Sequence, residues 1–600
     1  MEKTINEVFY NRAQKYGDRL AVEKNLNGTW ESATWNEYYE RARATGLGLH
    51  SLGVNRGDRI SLLSENRLEW LYTDMGALGI GACVVPVYTT LSHEEVSYIV
   101  NNSGSRVLIV EDAQQLEKAM KIVDSCPSLE KIVLIDESES KERMDVLLSF
   151  AELLEAGRKN HEQEPDFFRN AAAQVTEDDL ATIVYTSGTT GVPKGAMISH
   201  KNIMAVIRGL DQTRPQYAVE GDSSVPFLPL SHVFERVAGH WYGMFVGITS
   251  SYAESIDTIV RDIQDKKPTV VLAVPRVCEK VYQRIINQVQ ESPVWKQKVF
   301  YWGQKIGSRI SECREQKKKI SPYLKLRYKI AYKMIFENLN SALGGRVRWM
   351  TASGAPTAKE ILHFFNAAGI MVIEGYGMTE CTAPATMSNL ADYRIGTVGR
   401  PLPGVDIKIA DDGEILIKGD NVVRGYWEMP EETREAFTED GYMMSGDIGV
   451  FDSSGFLMIT DRKKDLIITA GGKNVAPQKI EQLFISDPLF LNFVVIGDRR
   501  KFLSALCNIN FEQAEREAED RGISFQEPVD LLDNEEFIRI IDEHVEERNS
   551  HLARYESIKK YRIIKHEFSQ ETGELTPSLK LKRKVIREKY KDLIEEMYRD

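Results

Sequence analysis

Six hundred residues exceed what one hydrophobic core supports, since single cores stop growing at roughly 250–300 residues. A chain that is 42% hydrophobic and 28% charged, with a net charge of −13, has the makeup of an ordinary globular protein, and its acidity disfavours nucleic acid as a general partner. The six cysteines contain no C-x-x-C pair, which leaves no zinc knuckle or disulfide framework and fits a reducing cytoplasm.

The first residues, Met1-Glu-Lys-Thr-Ile-Asn-Glu7, lack a signal-peptide apolar region. Residues 55–135 alternate strand-like runs with helical patterns. Arg59–Leu63, Ala82–Tyr88, Arg106–Val110 and Ile132–Ile135 read as strands, and Glu69–Ile80 and His93–Asn101 as helices. This alternation predicts a mostly parallel sheet. The uncharged stretch 75–93 is interrupted by Pro86 and reads as a core helix followed by a strand rather than a membrane span.

Residues 156–180 are polar and are expected to form a surface linker. A second strand–helix region spans 222–275, with strands expected at Val225–Pro229 and Pro268–Pro275. Residues 276–343, nearly free of glycine, predict long helices, with Lys317–Lys319 on a solvated helix face. From 405 to 460, short strands separated by Gly/Asp turns predict a small β subdomain. Residues 465–600 read as a smaller α+β unit.

The most informative stretch is Tyr185-Thr-Ser-Gly-Thr-Thr-Gly-Val-Pro-Lys-Gly-Ala-Met-Ile-Ser-His200. It follows a buried-strand pattern and gathers Ser187, Thr189 and Thr190 among Gly188, Gly191 and Gly195, with Lys194 behind. Glycines free the backbone to turn N–H groups toward an anion, and the hydroxyls and the lysine add donors and charge suited to a polyphosphate. It is not a Walker A loop, whose Gly-x-x-x-x-Gly-Lys-Ser/Thr pattern occurs nowhere in the chain.

Seven further motifs follow. Leu230-Ser-His-Val-Phe-Glu-Arg236 sets His232 at a strand end, where a structural role competes with a functional one. Thr351-Ala-Ser-Gly-Ala-Pro356 is a small-residue loop that permits close approach of a flat ring. Glu374-Gly-Tyr-Gly-Met-Thr-Glu380 exposes backbone and offers the ring of Tyr376 and the hard oxygens of Glu380. Ser445-Gly-Asp447 supplies an acceptor-only carboxylate suited to ribose hydroxyls. Asp461-Arg-Lys-Lys-Asp465 follows it, read alone as a solvated charge run. Gly471-Gly-Lys-Asn474 and Leu575-Thr-Pro-Ser-Leu-Lys-Leu-Lys-Arg583 complete the series.

In content and order these motifs resemble the adenylate-forming superfamily of acyl-CoA synthetases, luciferases and peptide-synthetase adenylation domains. The resemblance runs over nearly the whole chain. Ala253–Ile259, Val274–Tyr282 and the helical insertion after them look like its long-chain fatty acid–CoA ligase branch. It implies a large N-terminal domain (1–464) of two mostly parallel α/β sheets with a small β subdomain from about 400, and a mobile C-terminal domain (465–600) hinged at Lys464. It assigns catalysis to Lys580, Glu380, His232 and Thr186, with Glu380 and Thr186 as Mg²⁺ ligands. Nucleotide and CoA contacts fall to Ser187, Gly188, Thr189, Thr190, Gly191, Lys194, Gly354, Ala355, Pro356, Glu374, Gly375, Tyr376, Gly377, Thr379, Asp447, Arg462, Lys464, Gly471, Gly472 and Lys473. At the C-terminal lysine motif the glycine common in the family is Leu579, and Lys582 and Lys584 lie close to Lys580.

The implied reaction joins a fatty acid to CoA through acyl-AMP, with ATP, Mg²⁺ and CoA taking part. A long acyl chain then needs an apolar tunnel, and His240–Val246 is either its wall or an ordinary core helix. Two alternatives stay open: transfer of the acyl group to a carrier-protein thiol, and a non-catalytic lipid or nucleotide sensor. A cytoplasmic protein, peripheral contact with the inner face of a membrane and a homodimer are the accompanying expectations.

Overall fold

The computed structural model describes residues 2–136, 145–186, 192–256, 258–355, 357–470, 473–576 and 581–599. Two seven-stranded sheets dominate it. The first runs, in spatial order, Leu147–Ser149, Lys131–Leu134, Val107–Val110, Arg59–Leu63, Cys83–Val87, Leu180–Thr186, Lys194–Ser199. The second runs Met371–Ile373, Trp349–Thr351, Val270–Val271, Ser223–Ser224, Thr249–Tyr252, Leu20–Leu26, Thr29–Thr34. Each is parallel except for its last pair, which is antiparallel. Strands such as Val107–Val110 and Cys83–Val87 are buried on both faces, which is why they read as unbroken apolar runs.

The two sheets share one core with the helices Trp35–Ser51, Leu68–Gly79 and His200–Gln212. A four-stranded antiparallel sheet of Val405–Ile409, Glu414–Gly419, Met443–Phe451 and Leu457–Arg462 forms the β subdomain. From Ile467 onward the chain has apolar clusters of its own, built around the strands Phe490–Ile496, Leu503–Ile509 and Ile558–Ile563. Within this unit His544 is bound on both ring nitrogens, by Asp487 at 2.8 Å and Glu517 at 3.0 Å, and these partners push it up to about 10.

Residues 156–180 are not a linker. They fold into the helices Phe150–Gln163 and Phe167–Gln174. Ser149 and Glu152 make a reciprocal cap at the first, and Phe168 is buried. Gly157 lets that helix press against Trp35–Ser51, because a Cβ there would lie 1.8 Å from the Ala44 carbonyl oxygen. The many polar residues of this segment are the outer faces of amphipathic helices. The expected strand at Pro268–Pro275 contracts to Val270–Val271, and no strand forms at Val225–Pro229, where the paired residues are Ser223–Ser224 just before it; proline supplies no ladder N–H in either segment. Lys317 to Lys319 lie beyond the end of the helix Val294–Glu315, in the turn that follows it. No helix among the described residues is long and apolar enough to cross a membrane.

Candidate active site

In parallel sheets the strand ends that point the same way gather loops into one crevice, outside the carboxyl ends. Four of the motifs leave such ends: Thr186 opens the Gly/Thr loop, Ser224 leads to His232, Thr351 to Ala352–Ala355, and Ile373 to Glu374. Ser187, Gly188, Thr189, Thr190 and Gly191 lie outside the described residues, as do Pro356, Gly471, Gly472 and Lys580. The flanks of the Gly/Thr loop are described. Thr186 pairs with Lys194 across an antiparallel hairpin, so the loop joins two strands rather than a strand and a helix.

Tyr426 ties that hairpin to Glu380. It bridges Ala196, its ring centroid lies 5.2 Å from Lys194 Nζ, and its hydroxyl donates to Glu380 Oε1 at 2.9 Å. Glu380 sits on the short turn Thr379–Cys381 and is buried, and burial raises its pKa. Glu374 is buried too. It accepts the Gly396 N–H at 2.9 Å, and burial pushes it up to about 8. Between these acids, Gly375-Tyr376 pairs with Thr386-Met387. A Cβ on Gly377 would lie 2.9 Å from Pro384 Cα, so only glycine fits there.

A second chain of contacts runs through the β subdomain. The Tyr376 hydroxyl donates to Asp447 Oδ2 at 2.7 Å, and Arg462 Nε donates to Asp447 Oδ1 at 3.1 Å. Register produces the second contact, since Asp447 faces Arg462 across two antiparallel strands. Each Asp447 oxygen keeps lone-pair capacity for a further donor. Gly354 adopts a φ of +94° that L side chains rarely take, Ala355 beside it is exposed, and the Ser353 hydroxyl is buried without a protein partner among the described residues.

His232 is held by its loop. Its Nδ1 accepts the Phe234 N–H at 3.2 Å, so the neutral ring carries its proton on Nε2. Asn66, at the carboxyl end of Arg59–Leu63, clamps the same loop by donating to the Leu228 carbonyl and accepting from the Leu230 N–H, each at 2.7 Å. Neither Asn66 nor Tyr426 stands in a recognisable motif, and sequence reasoning misses both. Arg236, four residues past His232, forms a fully buried ion pair with Asp74 between the rings of Trp70 and Trp241.

Of the expected tunnel wall, Tyr242 and Gly243 line a small apolar pocket of about 20 Å³ with Ile248, Leu272 and Trp349. Its polar exceptions include Glu235, which burial pushes up to about 8. His240 serves packing instead, buried between the hydroxyls of Tyr38 and Tyr252.

Lys464 lies on an exposed turn between two anchors. Lys463 pairs with Asp412 at 2.6 Å and Glu414 at 2.7 Å in the β subdomain, while Asp465 lies 3.5 Å from Arg583 of the C-terminal unit. Arg583 also donates to Glu481 at 2.6 Å. Lys473 is exposed, with its N–H bonded to Thr469. Contacts that fasten the C-terminal unit to the helix Pro275–Gln290 and the residue after it include the ion pairs Arg276–Glu567 at 3.1 Å and Arg516–Glu291 at 2.8 Å and a hydrogen bond from the buried Asn287 to Glu512 at 3.3 Å. The six cysteines are all free, and Cys381 shares the turn of Glu380, where its buried sulfur accepts the Met378 N–H.

Comparison with known proteins adds a second line of evidence. The AMP-binding enzyme family model matches residues 9–427, and the model of the AMP-binding enzyme C-terminal domain matches 464–600. Long-chain-fatty-acid–CoA ligase FadD15 of Mycobacterium bovis is 36% identical over 97% of this chain and 94% of its own length. Long-chain-fatty-acid–CoA ligase ACSBG2 of Xenopus laevis is 32% identical over 100% of this chain and 84% of its own length. Among solved structures, the adenylation domain of a carboxylate reductase from Mycobacterium chelonae superposes with a TM-score of 0.75 at 24% identity, covering 100% of this chain and 91% of that one. The last likeness shows the fold alone.

Proposed function

The chain belongs to the AMP-binding enzyme family, and from that premise we propose that it is an ATP-dependent long-chain fatty acid–CoA ligase. The observation that carries the reading is the convergence of the motifs at the carboxyl ends of two parallel sheets, with Glu380, Tyr426 and Lys194 linked on one side and Tyr376, Asp447 and Arg462 on the other.

In this reading the fatty acid carboxylate attacks the α-phosphate of ATP, giving acyl-AMP and pyrophosphate. The CoA thiol then attacks the acyl carbon and AMP leaves. Both partners of the first step are anionic, so their repulsion must be offset before they meet. Ser187, Gly188, Thr189, Thr190, Gly191 and Lys194 are proposed to cradle the phosphates, and Lys580 to bring a positive charge to the reacting oxygens. Gly354, Ala355 and Pro356, with Gly375, Tyr376, Gly377 and Thr379, are proposed to receive the adenine. Asp447, held by Tyr376 and Arg462, is proposed to accept from the ribose hydroxyls. Glu374 supports this wall through Gly396, and His232 borders the carboxylate.

Mg²⁺ suits Glu380 and Thr186. It is commonly held by one or two carboxylates together with substrate phosphates, and a buried carboxylate whose Oε1 accepts from Tyr426 matches that donor set. When bound, the ion supplies counter-charge to the phosphates.

Acid and thiol steps cannot share one arrangement if Lys580 occupies the thiol's path. Residues 465–600 are therefore proposed to turn as a unit about Lys464, bringing Gly471, Gly472 and Lys473 to the thiol side. The separate core from Ile467 and the opposed anchors of Lys463 and Asp465 support this. The small apolar pocket beside Tyr242 is proposed to widen when part of the acyl chain enters it, each buried CH₂ contributing about 0.8 kcal/mol. Contact with a membrane is proposed to be peripheral.

A panel of straight-chain acids from two to twenty carbons, scored for pyrophosphate release with and without CoA, tests the reading. Turnover that peaks with long acids and yields acyl-CoA is expected. Turnover confined to short acids, or release indifferent to CoA with no thioester formed, would overturn it.

A further inference from the structure

The four most exposed large apolar side chains among the described residues lie in a single stretch of the chain: Tyr323 (69%), Val294 (64%), Trp295 (62%) and Leu326 (60%). The stretch is the helical insertion made of Val294–Glu315 and Pro322–Phe336. Along its second helix, Tyr323, Leu326, Ile330 and Met334 follow spacings of three and four and are all exposed. Such spacings put them on one face. Folding does not account for that face, because the helix already has an inner apolar side on which Ala331 and Phe336 are fully buried and Tyr328 and Ile335 pack against the core.

Charge distinguishes the surface further. Residues 294–336 carry twelve Lys or Arg and two Glu, in a chain whose net charge is −13, and from 316 to 336 there is no acidic residue at all. Lys325, Lys329 and Lys333 flank the apolar stripe, and none of them has an ion-pair partner among the described residues. Arg327 lies over the rings of both Tyr323 and Trp302, at 5.5 and 5.4 Å, which joins the stripe to the first helix.

We propose that this face docks the protein on an anionic lipid bilayer, with the Tyr323–Met334 stripe and Trp295 entering the interface and the flanking lysines meeting the headgroups. Aromatic and aliphatic side chains rimmed by unpaired lysine are the composition of an interfacial helix, and anionic headgroups supply the complementary charge. A second copy of the same face is a poor occupant, because it would oppose lysine to lysine. The proposal deepens the peripheral contact proposed above and gives it an address. It also suits an enzyme of long-chain acids, which partition into membranes.

Flotation of the full chain with equimolar phosphatidylglycerol–phosphatidylcholine vesicles, and with phosphatidylcholine vesicles alone, tests it. The wild-type protein should float with the anionic vesicles, lose that binding as salt rises, and stay unbound with the neutral ones. Lys325→Glu/Lys329→Glu/Lys333→Glu and, separately, Leu326→Ser/Ile330→Ser should each reduce anionic-vesicle binding by roughly tenfold or more. Both variants should keep the wild-type thermal midpoint and turnover of a water-soluble short acid. Failure of the wild type to bind anionic vesicles would overturn both the peripheral contact and this surface. Wild-type binding that both variants retain would overturn the surface alone. A concentration-dependent dimer that the variants abolish, without vesicle binding, would assign the face to a second copy instead.

Discussion

The two sides of the candidate site are built by different physics. On the body's side, the acids Glu374, Glu380 and Asp447 are buried and fixed by short contacts from Gly396, Tyr426, Tyr376 and Arg462. On the C-terminal side, attachment includes the partly exposed ion pairs Arg276–Glu567 and Arg516–Glu291, beside one hydrogen bond from the buried Asn287 to Glu512. Buried polar networks are costly to rearrange and therefore hold one geometry. Exposed ion pairs contribute only about 0–1 kcal/mol each and can be exchanged. In the proposed cycle this difference would let the body keep a nucleotide in place while the C-terminal unit exchanges its contacts.

The largest effect is expected from the C-terminal side. Lys580→Ala should cut adenylation by about 10³-fold while thioester formation from supplied acyl-AMP persists. Pyrophosphate release that survives this change but collapses in Lys582→Ala would move the assignment by two residues. Glu380→Ala breaks the body's side. The first half-reaction should fall by about 10²-fold, with a raised Mg²⁺ requirement, read as pyrophosphate release against metal concentration. Asp447→Ala should act mainly on ATP binding, losing hydrogen bonds to a charged acceptor worth about 1.5–3 kcal/mol, which is roughly a 10- to 100-fold rise in the KM for ATP. An unchanged KM would remove Asp447 from the ribose site.

Much of the body's side was legible in the sequence because its groups sit in local strings. Gly375 and Gly377 flank Tyr376, and Asp447 ends Ser-Gly-Asp, so short-range pattern and register suffice to place them. The contacts that fix those strings were not legible. Tyr426 reaches Glu380 from 46 positions away, and Asn66 reaches the His232 loop from 162 and 164. Such pairings are set by how the two sheets stack, which no local window records. The helices Phe150–Gln163 and Phe167–Gln174 were hidden by their polarity, since only one face of each is apolar. The insertion's basic run suggested simple solvation until exposure showed apolar side chains beside it.

Stability against pH sharpens the comparison next. Both His544 and Glu374 hold a proton in the folded chain that they would release when unfolded, and the windows differ. His544 is pushed from 6.5 up to about 10 by its bonds to Asp487 and Glu517. Below 6.5 both states carry the proton and the contribution is complete. Between 6.5 and about 10 only the folded state does, so stability falls as pH rises. Glu374 gives the same sign in the lower window from 4.5 to about 8. His544→Gln should therefore flatten the upper part of the unfolding-midpoint profile and leave the lower part intact. An unaltered upper slope would remove His544 as its source.

The smallest effect is expected at the joint between the two regions. Arg276→Ala and Arg516→Ala each remove one surface pair, worth about 0.2–1 kcal/mol, from the docking of the C-terminal unit against Pro275–Gln290. Neither residue touches the acids of the body, so ATP affinity should hold. What should change is the balance between the docked arrangement and others, and with it the ratio of pyrophosphate release to acyl-CoA output. Salt should reproduce that shift in the wild type and have less effect in the double variant, because the screened charges are already gone. A ratio that stays fixed in the double variant at low salt would mean that these pairs do not restrain the movement. The connection through Lys463, Lys464 and Asp465, with Arg583 bound to Glu481 and close to Asp465, would then be the element that governs it.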